Sequence, residues 1–244
     1  MLNTPSGNKD APSPLLGLSI PMFNEEENVQ LVLGEICSTL STANIRFHLA
    51  VVNNGSTDNT RLQIERMANQ HPEITLVNRE ENIGYGGGIL AGAAVVAQHS
   101  PTVIGWMWGD GQISPTILPT LYQACVDGAD IAKINRTERH DGWQRKLISQ
   151  TYAWTMYAMG TKTPDVNGCP KLFRAKTWND LSLQATDWFL DAQAIFRAEE
   201  LGMVIKNHPA TMKKRTFGKS KVNWKTVAEF CTNLARRKWQ RKSS

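Results

Sequence analysis

The chain has 244 residues, 41% of them hydrophobic, with 27 Lys+Arg against 22 Asp+Glu for a formal charge of +5. That length holds one large α/β domain or two small ones, and the apolar content is enough for a sizeable core. Cys37, Cys125, Cys169 and Cys231 lie far apart with no Cys-x-x-Cys spacing, which suggests neither a disulfide framework nor a zinc site, and no run approaches the roughly 20 apolar residues of a membrane span. Residues 1–14, rich in Pro, Ser, Asn and Gly, read as a loose tail and not as a signal peptide, and a reducing cytoplasm is expected.

Residues 16–21 form the first predicted strand. Asn24 is placed as a helix N-cap with Glu27 three residues on, the capping-box spacing, before Val29, Val32, Leu33, Ile36 and Leu40 recur at helical intervals. A second strand spans 47–52, and Ser56 or Thr57 caps a helix that stops before His71-Pro72. A third strand (74–77) leads through a glycine-rich turn into a helix of small residues over 88–98. A fourth strand (103–108), a helix (115–126) and a fifth strand (131–134) follow. This βα alternation predicts a mostly parallel sheet covered by helices on both faces. Beyond it the pattern is less regular: an aromatic-rich helix over 145–159, a short strand over 171–174, a helix over 187–201 stopped by Gly202, and a final helix over 223–239 with Trp224, Val227, Cys231 and Leu234 on one face. No internal repeat and no composition break divides the chain. The expected organisation is a tail (1–14), one α/β domain (15–222) and a basic amphipathic C-terminal helix (223–244).

Two runs, 20–28 and 51–59, each begin as a buried strand and end in small polar residues that open a helix. Side by side, such strand ends build a polar crevice at the carboxyl edge of a parallel sheet, where α/β proteins bind nucleotides. Asn53-Asn54-Gly55-Ser56 could read a base or ribose edge, or form an ordinary Asn-Gly turn. Gly84-Tyr-Gly-Gly-Gly88 contains a Gly-x-Gly-x-x-Ala match, yet it follows the third strand and has no acid about 20 residues on, so a dinucleotide fingerprint is disfavoured. Gly218-Lys219-Ser220 imitates the end of a P-loop, but Lys213 stands where the first glycine is required. From Lys206 onward twelve basic residues face one acid, Glu229, which suits phosphate groups or an anionic membrane surface. Nucleic acid is not an expected partner, and oligomeric state is left open.

Together these runs resemble family 2 glycosyltransferases, and within them the dolichol- and polyprenyl-phosphate sugar synthases. Pro21, Asn24 and Glu25 match a Pro-x-x-Asn-Glu opening, and Asn53, Asn54 and Ser56 stand at an Asp-Asp-Gly-Ser run. Asn82, Gly84 and Gly86 match a segment that passes close to the nucleotide. Asp110 and Gln112 match an Asp-x-Asp-x-Gln metal motif whose first Asp is Trp108 here, so one carboxylate must hold Mg²⁺ or Mn²⁺ with help from the diphosphate. Arg136, Trp143, Arg145, Ser149, Asp165, Gly168, Lys171, Leu172, Phe173 and Arg174 follow the order of the segment after that motif. Arg215, Ser220 and Lys221 match a late basic run. Arginines suit phosphate because a guanidinium donates two parallel hydrogen bonds to it. Asp191 matches a late acidic position beside the acceptor and is the candidate base, against the alternative of a solvent-facing acid at a helix start.

The resemblance implies a GT-A fold and an inverting transfer of a hexose from a nucleotide-diphosphate sugar to a polyprenyl phosphate at the cytoplasmic membrane face. Two alternatives stand beside it. One is a soluble transferase acting on a glycan or small-molecule hydroxyl; the other is a non-catalytic binding or scaffold protein, motivated by Trp108 and the paired Asn53-Asn54.

Overall fold

A computed structural model describes residues 15–139, 156–157 and 159–213. Strands β1 (Leu15–Met22), β2 (Arg46–Asn54), β3 (Ile74–Arg79), β4 (Val103–Trp106), β5 (Ile131–Arg139), β6 (Lys171–Arg174) and β7 (Ile205–Met212) form one sheet in the order β3-β2-β1-β4-β6-β5-β7. The first four run parallel, β6 runs antiparallel to both of its neighbours, and β5 and β7 are parallel.

Alternation along the strands sends side chains to two separate cores. Leu16, Leu18 and Ile20 of β1 pack with α1 (Val29–Thr42), α2 (Thr60–Gln70) and α4 (Leu118–Val126) on one face. Ala50, Ile104 and Trp106 pack with α3 (Tyr85–Ala97), α5 (Ala175–Leu181) and α6 (Leu190–Glu200) on the other. The small residues of α3 have a packing cause. A methyl group at Gly92 would collide with the Ser19 hydroxyl, which itself donates to the Ile89 carbonyl at 2.9 Å. The helix therefore lies against β1 at backbone distance.

The predicted sheet with helices on both faces is observed, with local differences: β4 stops at Trp106, before Trp108, and β5 runs on to Arg139. Helix α1 starts at Val29, not after Asn24, which adopts a left-handed conformation (φ 53°). Helix α2 starts at Thr60, beyond Ser56 and Thr57. Helix α5 and strand β7 were not anticipated, since α5 is short and β7 carries His208 and Pro209 in mid-strand. Proline is tolerated there because β7 is an edge strand. The tail over 1–14, most of the 145–159 helix and the helix over 223–239 lie outside the described residues. Among the described residues no helix is long and apolar enough to cross a membrane.

Candidate active site

Strands β1, β2, β3 and β4 all end on one edge. Met22 lies opposite Asn53, and Asn53 opposite Asn78, so the two polar runs leave the sheet at the same level. Strand β1 has β2 on one side and β4 on the other, so the chain order reverses at β1 and opens the crevice that ligands use in such sheets.

The two runs grip each other. The Asn24 amide N–H donates to Ser56 Oγ at 3.0 Å, and Asn24 Oδ1 accepts from the Thr57 amide at 2.8 Å. The Glu25 amide donates to Thr60 Oγ1, and Glu26 Oε2 accepts from both Asn59 nitrogens. Glu25 itself is buried and accepts from Asn28 Nδ2 at 2.6 Å. Asn24, which looked like a cap, thus crosslinks the two loops, and its left-handed backbone aims it across the gap.

Asn53 and Asn54 are buried and largely committed to the fold. Asn53 Nδ2 donates to Asn78 Oδ1 at 2.7 Å, and its Oδ1 accepts from the Ser56 amide. Asn54 Nδ2 donates to the Gly84 carbonyl at 3.0 Å, and its Oδ1 accepts from the Ile83 amide. Asn82 Oδ1 accepts from the Gly84 amide. Gly84 and Gly86 belong to the helix packing: a Cβ at Gly86 would collide with the Ala185 carbonyl oxygen, and one at Gly84 with that of Thr186. Close approach here is to the 185–187 backbone. Pro21 Cβ lies in tight contact range of a Cβ built on Gly88, which again sets the spacing of α3 from β1.

Past the end of β4, Trp108 and Asp110 enter the same crevice. Asp110 Oδ1 accepts from the Gln112 amide at 3.1 Å, closing a turn through Gly111 at φ 69°. Gln112 is buried; its Nε2 donates to the Lys213 carbonyl and its own carbonyl accepts from the Lys213 amide. It ties this turn to the end of β7. Trp108 Nε1 donates to the Tyr85 hydroxyl at 2.9 Å, and Tyr85 stacks on Trp188 with ring centroids 4.3 Å apart. The Tyr85 residue is partly exposed but its hydroxyl is enclosed, and burial followed by the Asp191 charge raises its pKa well above the usual value.

Two buried ion pairs complete the site. Arg136 is held by Asp165 through Nε (2.8 Å), Nη2 (2.5 Å) and its backbone amide (2.9 Å), and its guanidinium lies 5.6 Å from the centre of the Trp108 ring. Lys171 pairs with Asp191, both almost fully buried, and Asp191 also meets the Tyr85 hydroxyl. The solvent-facing acid considered for Asp191 is not found, and Arg136 is likewise enclosed by its pairing with Asp165. Arg174 is a correction. Because β6 is antiparallel, Arg174 pairs with Val103 at the start of β4, on the edge away from the crevice, and binds Asp130. Arg145, Arg215, Ser220 and Lys221 lie outside the described residues.

The glycosyl transferase family 2 model matches residues 18–180, which include every strand end described above except that of β7. The chain belongs to glycosyl transferase family 2. This glycosyltransferase is 27% identical over 226 residues to the polyprenol monophosphomannose synthase of Mycolicibacterium smegmatis, covering 88% of this chain and 84% of that one. It is 28% identical to the undecaprenyl-phosphate mannosyltransferase of Micrococcus luteus, covering 89% and 91%. Its fold is GT-A. It superposes on glucosyl-3-phosphoglycerate synthase from Mycobacterium tuberculosis, solved with phosphoglyceric acid, with a TM-score of 0.71 at 16% identity over 92% of this chain and 80% of that one. A mannosyltransferase from Pyrobaculum calidifontis, solved with GDP-Man and Mn²⁺, gives 0.59 at 16% identity over 88% and 62%.

Sequence reasoning about this glycosyltransferase missed Lys133, Tyr85 and Trp188. Lys133 is completely buried, and Tyr85 and Trp188 join the crevice from segments about a hundred residues apart. A lysine inside an apolar strand (Ile-Ala-Lys-Ile) was the available signal for the first of them.

The Arg136–Asp165 pair makes a pH prediction. Burial pushes the Asp165 carboxyl up, but the hydrogen bonds and charge of Arg136 outweigh this and hold it at about 2, below the ordinary 3.8. A depressed acid stabilises the fold above its unfolded pKa and loses that contribution as pH falls through the folded value. The stability gap between wild type and Asp165→Asn is therefore expected to be full above pH about 4 and to shrink toward pH 2. Urea unfolding at a series of pH values checks this; a gap independent of pH would assign the stability to another group.

Proposed function

We propose that the chain transfers a hexose from a nucleotide-diphosphate sugar to a polyprenyl phosphate, with inversion at the anomeric carbon. The observation that carries the choice of acceptor is the burial of Asp191 in an ion pair with Lys171. A hydroxyl acceptor needs a base to take its proton, and the candidate base is committed to a buried ammonium. A phosphate acceptor is anionic near pH 7 and attacks with little such help. The relatives named as polyprenol and undecaprenyl-phosphate mannosyltransferases support the same acceptor.

The donor would lie in the crevice over the Asn24–Ser56 clamp, with its diphosphate toward Asp110. The residues present fit a divalent cation, Mg²⁺ or Mn²⁺, held by one protein carboxylate. Trp108 offers an N–H and no lone pair, and Gln112, whose Nε2 is tied to the Lys213 carbonyl, has only its side-chain oxygen to add, so most remaining ligands would be diphosphate oxygens and water. When bound, the cation would neutralise the departing diphosphate. Asp110 would hold it, and the turn closed by the Gln112 amide fixes where that carboxylate stands. Arg136 supplies fixed positive charge beside the acceptor phosphate. The basic residues from Lys206 onward would bring the enzyme to anionic lipid at the cytoplasmic face of a membrane.

The test is a donor screen by thermal shift with Mn²⁺, because ligand binding to the native state raises the melting point with affinity. UDP- and GDP-hexoses that bind are then offered citronellyl phosphate or an alkyl glycoside, with and without anionic vesicles. Sugar appearing on the phosphate, faster with anionic than with neutral vesicles, is expected. Product on the glycoside alone would establish the hydroxyl reading, and no donor bound under any condition would leave a scaffold.

A further inference from the structure

The loop before β6 carries Asp165 in a left-handed backbone conformation (φ 42°), in a turn pressed against β5. The Gly168 amide donates to the Asp165 carbonyl at 2.7 Å, and a Cβ at Gly168 would collide with the Ile134 carbonyl oxygen. Beneath this turn lies Lys133, with no exposed surface at all. Its Nζ donates to three main-chain oxygens, Ile134 at 3.0 Å, Pro164 at 2.9 Å and Asp165 at 2.9 Å. An ammonium has three N–H groups, and all three are used to pin the turn to the strand.

What the turn presents is the Asp165 carboxylate, which grips Arg136 at three points. A guanidinium has five N–H groups; Asp165 takes two and the Met212 sulfur contacts a third at 4.0 Å. Two have no partner among the described residues, on a group fixed over the Trp108 ring. Without a fixed Asp165 the arginine could swing, and a bidentate anion contact depends on its orientation.

We propose that Lys133 is a positioning residue that locks the Pro164–Asp165 turn and thereby sets the affinity of Arg136 for the phosphate of the acceptor. This rests on the phosphate-acceptor reading above. Burial followed by the Lys171 charge lowers the Lys133 pKa to about 7, while the carboxylates of Asp165 and Asp191 favour its charged form and Arg136 opposes it. Tyr85 and Cys169, also facing this cluster, are both raised well above their usual values by burial and stay neutral near pH 7. Above pH 7 the neutral amine keeps two N–H donors for three oxygens, so the lock loosens.

The experiment is calorimetric binding of citronellyl phosphate to wild type, Lys133→Met, Arg136→Gln and the double variant. Each single change is expected to weaken binding at least tenfold, and the double variant to bind no more weakly than Arg136→Gln alone, since both act through one contact. A folded Lys133→Met with wild-type affinity, or losses that multiply in the double variant, would overturn the proposal. Wild type failing to bind the probe would instead defeat the phosphate-acceptor reading and this inference with it. Should Lys133→Met not fold, wild type is titrated with citronellyl sulfate, whose charge is constant from pH 6 to 9. Affinity falling with a midpoint near pH 7 supports the lock, and a flat profile overturns it.

Discussion

Asp110→Asn is expected to lower transfer at least about a hundredfold, the usual cost of removing one electrostatic partner of a developing charge. Asparagine keeps an oxygen able to accept from the Gln112 amide, so the turn beyond β4 should survive. What it removes is the carboxylate charge, in a crevice where position 108 is an indole and contributes none. With two acids at a cation site, loss of one can be buffered by the other; here Trp108 is already committed to Tyr85. The Mn²⁺-dependent gain in donor affinity should disappear in the variant while affinity without metal stays close to wild type. Retention of more than half the wild-type turnover, with that gain intact, would remove Asp110 from the proposed role.

Asp191→Ala is expected to cost about 3–5 kcal/mol of stability, the effect of leaving one member of a buried ion pair without its partner. For a chain of this size that lowers the melting temperature by on the order of 10 °C. Lys171 is then enclosed beside Trp106 (5.6 Å to the ring centre) with its counter-charge gone, and the Tyr85 hydroxyl loses an acceptor. Replacing both partners, as Lys171→Met with Asp191→Leu, should recover most of the loss, because two apolar groups of similar volume need no solvation. Thermal and urea unfolding of the three variants decide the matter. A loss below about 1 kcal/mol for Asp191→Ala would mean that water reaches the pair, and Asp191 would return as a candidate base.

The strands that build the crevice were legible because their chemistry is local. Residues 16–21 and 47–52 are mostly apolar with only Ser19 and His48 as exceptions, as suits buried parallel strands, and each is followed by turn-forming polar residues. The start of α1 was not legible, since Asn24 and Glu27 imitate a capping box while Asn24 in fact bonds to a loop 33 positions away. The direction of β6 was hidden as well. Lys-Leu-Phe-Arg reads identically in either sense, and only pairing with β4 reveals that Lys171 lies at the crevice edge and Arg174 at the other. Charged residues meant to meet a ligand carry no mark that separates them from those meant to meet each other. Lys171, Asp191, Arg136 and Asp165 all stood as candidates for ligand contact, and the fold spends most of that charge internally.

The lacing of the Asn24–Glu26 segment to the Ser56–Thr60 segment has a kinetic corollary. Backbone that is immobilised during folding owes no further entropy when a small molecule docks, and each residue spared that step is worth about 1–2 kcal/mol. Donor capture at this rim should accordingly resemble insertion into a rigid slot, with association rates insensitive to loop rearrangement.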